Sequence, residues 1–151
     1  PIELGDFLES IAADGSFEAV AESKQVTIWK LDGGRFVGDR DLLRSAFENV
    51  IRNAIRHSPV GGEVLVEQVV SIGGGWEVAV HDRGPGVDEQ ELGKMFEPFY
   101  RAAGMKGGPR GYGLGLAIAR RVAALHQGSV VAERRPGGGL SVRFRFPATT
   151  S

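Results

Sequence analysis

Apolar residues along this chain change their spacing several times, and each change marks an element. Residues 2–4 read as a short strand. Phe7, Leu8, Ile11 and Ala12 then recur three or four apart. That spacing predicts a helix with Asp6 as its N-cap, running to about Ser23. Residues 26–31 place Val, Ile and Leu alternately with Thr, Trp and Lys, the pattern of a half-buried strand. Gly33-Gly34 turns the chain, and residues 35–37 read as a short return strand. Asp39 then opens the clearest helix. Leu42, Leu43, Ala46, Phe47, Val50, Ile51, Ala54 and Ile55 make one apolar stripe, which stops before Pro59.

The second half alternates in the same way. Residues 63–72 and 76–80 read as two strands of a hairpin joined through Gly73-Gly74-Gly75. Asp88 is placed to cap a short helix ending near Phe96. Residues 99–111 carry Gly, Pro, Lys and Arg without periodicity, which predicts a long mobile loop. A second strong helix is expected over residues 113–126, with Leu116, Ala117, Arg120, Val122, Ala123 and Leu125 following its start and Gly128 ending it. Residues 129–133 and 140–146 alternate as strands around the turn at 136–139. No internal repeat and no boundary interrupts residues 1–151, so one domain is expected. The elements add up to an α+β fold: a two-layer α/β sandwich, with a mixed sheet packed on about three helices.

Composition narrows the function classes. Eighteen basic residues face 19 acidic ones, so no strong field points to nucleic acid, and the pair Arg134-Arg135 is too small a cluster to change that. The absence of cysteine excludes disulfides and thiolate metal sites. No apolar run reaches the roughly 20 residues that span a bilayer, and no signal peptide is visible. The chain opens on Pro1 rather than Met, as an excised fragment would. Glycine is the outlier at 23 residues. Most of its clusters are turns, but the one over 104–115 needs another account.

Three elements carry chemistry. Asn49, Asn53, Arg56 and His57 stand at i, i+4, i+7 and i+8 of the first strong helix, and so share one face. Amide oxygens suit a hard cation such as Mg²⁺, and an Arg one turn on suits phosphate. The same line also reads as a solvated helix face. His81-Asp82-Arg83-Gly84-Pro85-Gly86 follows a strand directly. A carboxylate buried there needs a donor, and an adenine amino group is a suitable one, with Gly84 and Gly86 letting a base approach the backbone. An ordinary turn with a capping Asp has the same residues. Gly111-Tyr112-Gly113-Leu114-Gly115-Leu116 opens the second strong helix, where unpaired amides and the helix dipole favour phosphate. A glycine hinge without a ligand is the plain alternative. Neither the dinucleotide fingerprint nor a Walker loop is present.

Taken in order, these elements resemble the boxes of a known family. Glu48-Asn49, Asn53-Ala54 and His57 match an asparagine box, and Asp82-Arg83-Gly84-Pro85-Gly86 matches a first glycine box. Phe96-Glu97-Pro98-Phe99-Tyr100-Arg101 matches a phenylalanine box, and residues 111–116 match a second glycine box. The chain thereby resembles, over nearly its whole length, the catalytic and ATP-binding domain of bacterial sensor histidine kinases. These belong to a wider group with gyrase, MutL and the ninety-kilodalton heat-shock chaperone. The resemblance implies the Bergerat ATP-binding fold, with ATP and Mg²⁺ as ligands. It implies that Asn53 coordinates Mg²⁺, that Asn49 supports the phosphate or metal site, and that Arg56 and His57 contact phosphate and nucleotide. Asn49, Asn53 and Arg56 form the catalytic set. The resemblance implies that Asp82 accepts from the adenine amino group, in the loop containing Gly84 and Gly86. Gly111, Gly113, Leu114, Gly115 and Leu116 receive phosphate. Phe96 and Phe99 anchor a lid, a role compatible with simple core packing. Tyr100, Arg101 and Arg110 of that lid, with Lys106, are candidates to touch the nucleotide, although loop charges are often merely solvated.

One position separates the branches of that group. Gyrase and the chaperone carry a water-activating Glu four residues before the metal Asn. Here that residue is Asn49, an amide that accepts no proton at neutral pH. Glu48 is adjacent but about 100° around the helix. Slow hydrolysis is therefore expected, and transfer of the γ-phosphoryl to an imidazole instead. The acceptor His belongs, by the resemblance, to a separate dimerisation hairpin, and none of His57, His81 and His126 reads as that acceptor. The remaining implied context is a response regulator downstream and a parent protein that is a membrane-anchored homodimer, with this segment on the cytoplasmic side of an inner membrane. An ATP hydrolase or anti-sigma-type serine kinase of the same fold, and a non-catalytic nucleotide-binding docking module, are the competing readings.

Overall fold

The computed structural model describes residues 1–97 and 115–148. The chain enters as β1 (Ile2–Glu3), passes into α1 (Leu4–Val20) and returns as β2 (Gln25–Leu31) and β3 (Arg35–Phe36). Next come α2 (Arg40–His57) and the strands β4 (Glu63–Val70) and β5 (Trp76–His81). Two single 3₁₀ turns, Glu89–Glu91 and Lys94–Phe96, precede α3 (Gly115–Leu125), and β6 (Ser129–Arg134) and β7 (Leu140–Phe146) complete the chain.

Five strands form one mixed sheet in the order β2-β4-β5-β7-β6. Only β2 and β4 run parallel. Register sorts the side chains into rows. Val66, Val80 and Val142 lie side by side, as do Gln68, Val78, Phe144 and Val130, and Trp76 beside Phe146. These rows are buried and meet the helices. The intervening rows are largely polar: Glu67, Ala79, Arg143, Val131 in one, and Leu65, His81, Ser141, Glu133 in the next. Period-two alternation thus divides the sheet into a core face and a polar face. Phe7, Ile11, Leu43, Phe47, Val50, Ile51, Leu116 and Val122 supply the helical side of the same core. Phe47 stands at its centre, with rings of Phe7, Trp76, Phe144 and Phe146 within 6.3 Å of it. The α+β two-layer sandwich read from the chain is the one observed.

Several local expectations are corrected. Asp6 lies inside the first turn of α1, not before it. The helix opens at Leu4 because the Gly34 carbonyl, 2.8 Å away, takes the Leu4 N–H, so a tertiary contact caps it. It ends at Val20, short of Ser23, which adopts a left-handed φ of 59°. Residues Arg35–Phe36 pair with β1, not with β2. In β2 the expected faces hold, with Thr27, Trp29 and Lys30 exposed, and a bulge between Ile28 and Lys30 turns Leu31 back toward the side of Val26 and Ile28. Leu42 is 40% exposed, because α2 turns it beyond the edge of the stripe. Arg120 and Leu125 likewise face outward from α3. Asp88 makes no side-chain cap, and the residues after it form two short 3₁₀ turns, not a helix. Gln127, with φ 58°, is the left-handed residue that ends α3; Gly128 is needed instead because a Cβ there would overlap the Arg145 carbonyl and the Phe146 ring. The loop expected over 99–111 lies outside the described residues.

Candidate functional site

The Asp39 carboxylate accepts the Leu42 N–H at 3.0 Å, the cap the sequence indicated, and so sets the phase of α2. With that phase, Asn49, Asn53 and His57 run half-buried along one line, while Arg56 is exposed. The opposite flank is committed elsewhere. Glu48 pairs with Arg44 at 3.4 Å, and Arg44 also reaches Asp14 at 3.0 Å and Ser10 at 2.7 Å on α1. Arg52 pairs with Glu18, also on α1. Glu48 and Arg52 therefore face α1, and the asparagines face away from it.

Helix α3 lies antiparallel against α2. At one end His126 Nε2 accepts the Asp39 N–H at 3.0 Å, while its Nδ1 lies 2.8 Å from the Val122 carbonyl, which fixes the neutral tautomer with the proton on Nδ1. At the other end a Cβ on Gly115 would sit 3.5 Å from Asn49 Oδ1. The start of α3 is thus laid against the first asparagine. Leu116 is buried in the core, so it offers the site its backbone and not its side chain. Phe96 is buried beside Met95, in keeping with core packing. Gly111, Gly113 and Leu114, with Phe99, Tyr100, Arg101, Lys106 and Arg110, lie outside the described residues.

The C-terminal end of α2 is bolted down. Lys24, only 8% exposed, donates from Nζ to the Ile55 carbonyl at 2.7 Å, and Ser58 Oγ donates to the Ala54 carbonyl at 2.8 Å. A cation at this end also meets the negative pole of the helix dipole. Burial, then Arg56 and Lys24, hold the His57 imidazole below its ordinary value, so it is neutral at physiological pH.

Across this helix end runs the loop after β5. Gly84 is packed on the His57 carbonyl, which a Cβ would overlap. The sequence assigns Gly84 to the approach of a base; its missing side chain also makes room for the end of α2. Gly86 keeps a positive φ of 72° and lies against the Gly139 carbonyl. Asp82 is 3% exposed at the strand end. Its Oδ1 accepts from Gly84 N at 2.9 Å and Leu140 N at 3.3 Å. The donor that its burial demands is therefore met in part by the protein itself. Burial pushes the Asp82 carboxyl up, while those two amides and the charges of Arg135 and His81 pull it back.

Reading the sequence missed the partners of Asp82. By its sequence pattern the tip of the β6–β7 hairpin is a plain turn. In the fold, Arg135 Nη1 donates to the Asp82 carbonyl at 2.8 Å, and Asp82 N donates to the Leu140 carbonyl at 2.9 Å. Gly139, with φ 101°, is so close to the Asp82 carbonyl that no Cβ fits. The only signal in the chain was the run of three glycines after Pro136. A second missed network lies one residue earlier. His81 Nε2 is 2.8 Å from Glu67 Oε1 and its Nδ1 is 2.6 Å from Ser141 Oγ, with Trp29 Nε1 donating to Glu67 Oε2 at 3.1 Å. These partners hold the Glu67 carboxyl below the usual range against the burial that opposes them.

The result is one continuous wall: Gly115 against Asn49, then Asn53 and His57 along α2, then Gly84 against His57 and Asp82 beyond it. Residues 38–150 match the family described as histidine kinase-, DNA gyrase B-, and HSP90-like ATPase. Sensor protein SphS of Synechococcus elongatus is 39% identical over 162 residues, spanning 99% of this chain and 38% of that protein. The mycobacterial sensor histidine kinase MprB superposes with a TM-score of 0.89 at 27% identity, covering 99% of both chains. Full-length ShkA, solved in complex with AMPPNP, gives a TM-score of 0.86 at 27% identity over all of this chain and 31% of its own. The chain spans between 32% and 38% of the first curated relatives' lengths.

Proposed function

From a chain that belongs to the histidine kinase-, DNA gyrase B- and HSP90-like ATPase family, in its sensor histidine kinase branch, we propose a catalytic domain that holds ATP with Mg²⁺ and gives the γ-phosphoryl to a His on a separate dimerisation hairpin. A response regulator would then receive the phosphoryl group. The observation that carries this reading is the wall from Gly115 through Asn49, Asn53 and His57 to Asp82. It offers, in sequence, a helix start for phosphate, two carboxamides and a buried carboxylate for a base. ShkA, solved with the ATP analogue AMPPNP, supports the choice of nucleotide.

In this proposal the Asp82 carboxylate accepts the adenine amino group, and Gly84 and Gly86 shape the loop that presents it. Asn53 would hold Mg²⁺ through its amide oxygen, with Asn49 beside it. The donor set fits: Mg²⁺ takes few protein ligands and keeps several waters, and among the described residues no cluster of three acidic or imidazole groups competes for it. Bound there, Mg²⁺ would offset charge on the transferring phosphoryl group. Arg56, exposed beside the line, reaches for phosphate, and neutral His57 offers a ring to the nucleotide. Gly115 and Leu116 contribute backbone at the start of α3. Gly111, Gly113, Leu114, Tyr100, Arg101 and Arg110 complete the set as sequence assignments.

Kinase chemistry is favoured over hydrolysis by a specific arrangement. Asn49 stands where a hydrolase places its carboxylate, and the neighbouring carboxylate of Glu48 is held by Arg44 on the α1 side. Glu48, the carboxylate next to Asn49 on α2, is thus turned away from the asparagine line. His126 and His81 are each engaged through both ring nitrogens, and His57 is half-buried, which supports an acceptor supplied by another domain. Among the described residues no helix is long and apolar enough to cross a membrane; anchoring of the parent protein in an inner membrane, with this segment cytoplasmic, and its dimerisation are part of the proposal. Calorimetric titration with ATP and Mg²⁺, then mixing with a His-bearing hairpin and labelled ATP, tests the reading. Binding followed by labelling of the hairpin alone is expected. Label on this chain itself, or rapid ATP turnover without the hairpin, would overturn it in favour of a serine kinase or a hydrolase. No binding at millimolar ATP would leave a docking module.

A further inference from the structure

We propose that Arg135 is a positioning residue for nucleotide binding: its guanidinium, held on the Asp82 carbonyl, keeps the Asp82 side chain aimed as a hydrogen-bond acceptor for a 6-aminopurine. The inference rests on the adenine role given to Asp82 above and adds what keeps that residue competent. The geometry is a clamp. Arg135 Nη1 donates to the Asp82 carbonyl at 2.8 Å, 53 residues away in the chain. The turn that carries Arg135 is closed by its own N–H on the Gly139 carbonyl at 3.1 Å and by Gly138 N on the Arg135 carbonyl at 3.1 Å. The same turn presents Leu140, whose N–H reaches Asp82 Oδ1 at 3.3 Å and whose carbonyl takes the Asp82 N–H at 2.9 Å. From the other side Arg83 Nη1 reaches the Pro136 and Gly138 carbonyls at 3.4 and 3.3 Å. The first glycine-box loop and the hairpin tip are therefore stitched together around one carboxyl group.

Charge makes the clamp more than a brace. Asp82 is 3% exposed, so desolvation favours its protonated form. A protonated carboxyl can present a donor where the amino group of adenine also presents one. The groups facing Asp82 that oppose this are the amides of Gly84 and Leu140 and the cations of Arg135 and, when protonated, His81. His81 is itself tied to Glu67 and Ser141 on the polar face of the sheet. Arg83, in the same loop, lies near Arg135 and repels it. His57 packs behind Gly84 and is neutral. Arg135 is thus the permanent cation whose hydrogen bond and charge both act on Asp82.

The test follows the Asp82 carboxyl itself. Its ¹³C signal is titrated by NMR in the nucleotide-free chain, for the parent, Arg135→Gln and Arg135→Lys, and ATP affinity is measured by calorimetry over the same pH range. Arg135→Gln is expected to move the Asp82 titration to higher pH and to weaken ATP binding at neutral pH about tenfold, the scale of one charge-assisted hydrogen bond. It should also carry the acid limb of the affinity profile upward. Arg135→Lys should recover part of each effect, and its amide spectrum reports whether the fold is intact if the Gln variant is unstable. An unmoved Asp82 titration and parental affinity in both folded variants would overturn the proposal. A shifted titration in a parent chain that binds no ATP would uphold the clamp and sink the adenine reading instead.

Discussion

Replacing Asp82 with Asn separates the cost of this site to folding from its use in binding. The variant keeps a carbonyl oxygen for the Gly84 and Leu140 amides, which now bond to Oδ1 at 2.9 and 3.3 Å, so the loop geometry survives. What changes is the second position on the carboxyl carbon: an acceptor becomes an NH₂ donor facing the donor of adenine. Losing a hydrogen bond to a charged acceptor costs about 1.5–3 kcal/mol. At about 1.4 kcal/mol per tenfold, ATP binding should weaken by at least one order of magnitude and up to roughly two. Stability should move the other way. Burial raises the Asp82 carboxyl in the folded state, so the folded chain binds a proton more tightly than the unfolded one. The stabilisation from this group is complete below the unfolded value, near pH 3.9, and is lost as pH rises through the folded value. At neutral pH the parent carries the penalty of burying a charge, and the Asn variant carries only the smaller one of burying an amide. The nucleotide-free variant should therefore melt at a higher temperature than the parent, by an amount that grows with pH through that window and is flat above it. Calorimetric titration and circular-dichroism melting read the two halves. Parental ATP affinity in Asp82→Asn would remove Asp82 from the adenine contact, and a lower melting temperature would show that the two amides depend on its charge more than burial opposes it.

Three further outcomes follow from the packing. Gly84→Ala must push the loop off the His57 carbonyl, and a loss of about 1–3 kcal/mol is expected from urea unfolding, with weaker ATP binding because Asp82 moves too. Phe47→Ala, at the centre of the aromatic cluster and 1% exposed, should cost about 3–5 kcal/mol by the same measurement, and a loss below 1 kcal/mol would mean that the core refills the cavity. His57 is held below its ordinary value by burial, Arg56 and Lys24; its contribution is present above pH ~6.5 and is lost as pH falls through the folded value. His57→Gln should abolish that slope in unfolding free energy, and an unchanged slope would assign it to another group.

Local patterns in the chain sufficed for α2, its Asp39 cap, the bulk of α3, both hairpins and the line of Asn49, Asn53 and His57. These depend on the 3.6-residue and two-residue periods and on a cap bond spanning three residues, all of them short-range. The same short range explains the misplaced helix start at Asp6, since the true partner of Leu4 N is Gly34. Residue type alone singled out Asp82, but not what surrounds it. That Gly84 packs on the end of α2 depends on how the loop after β5 meets that helix, and that Arg135, Gly139 and Leu140 close on Asp82 from 53 to 58 residues away follows from the strand order β2-β4-β5-β7-β6, which lays β7 beside β5. Periodicity specifies which face of a strand is apolar; only packing the whole core decides which strand becomes its neighbour, and with it which hairpin tip meets the buried carboxylate.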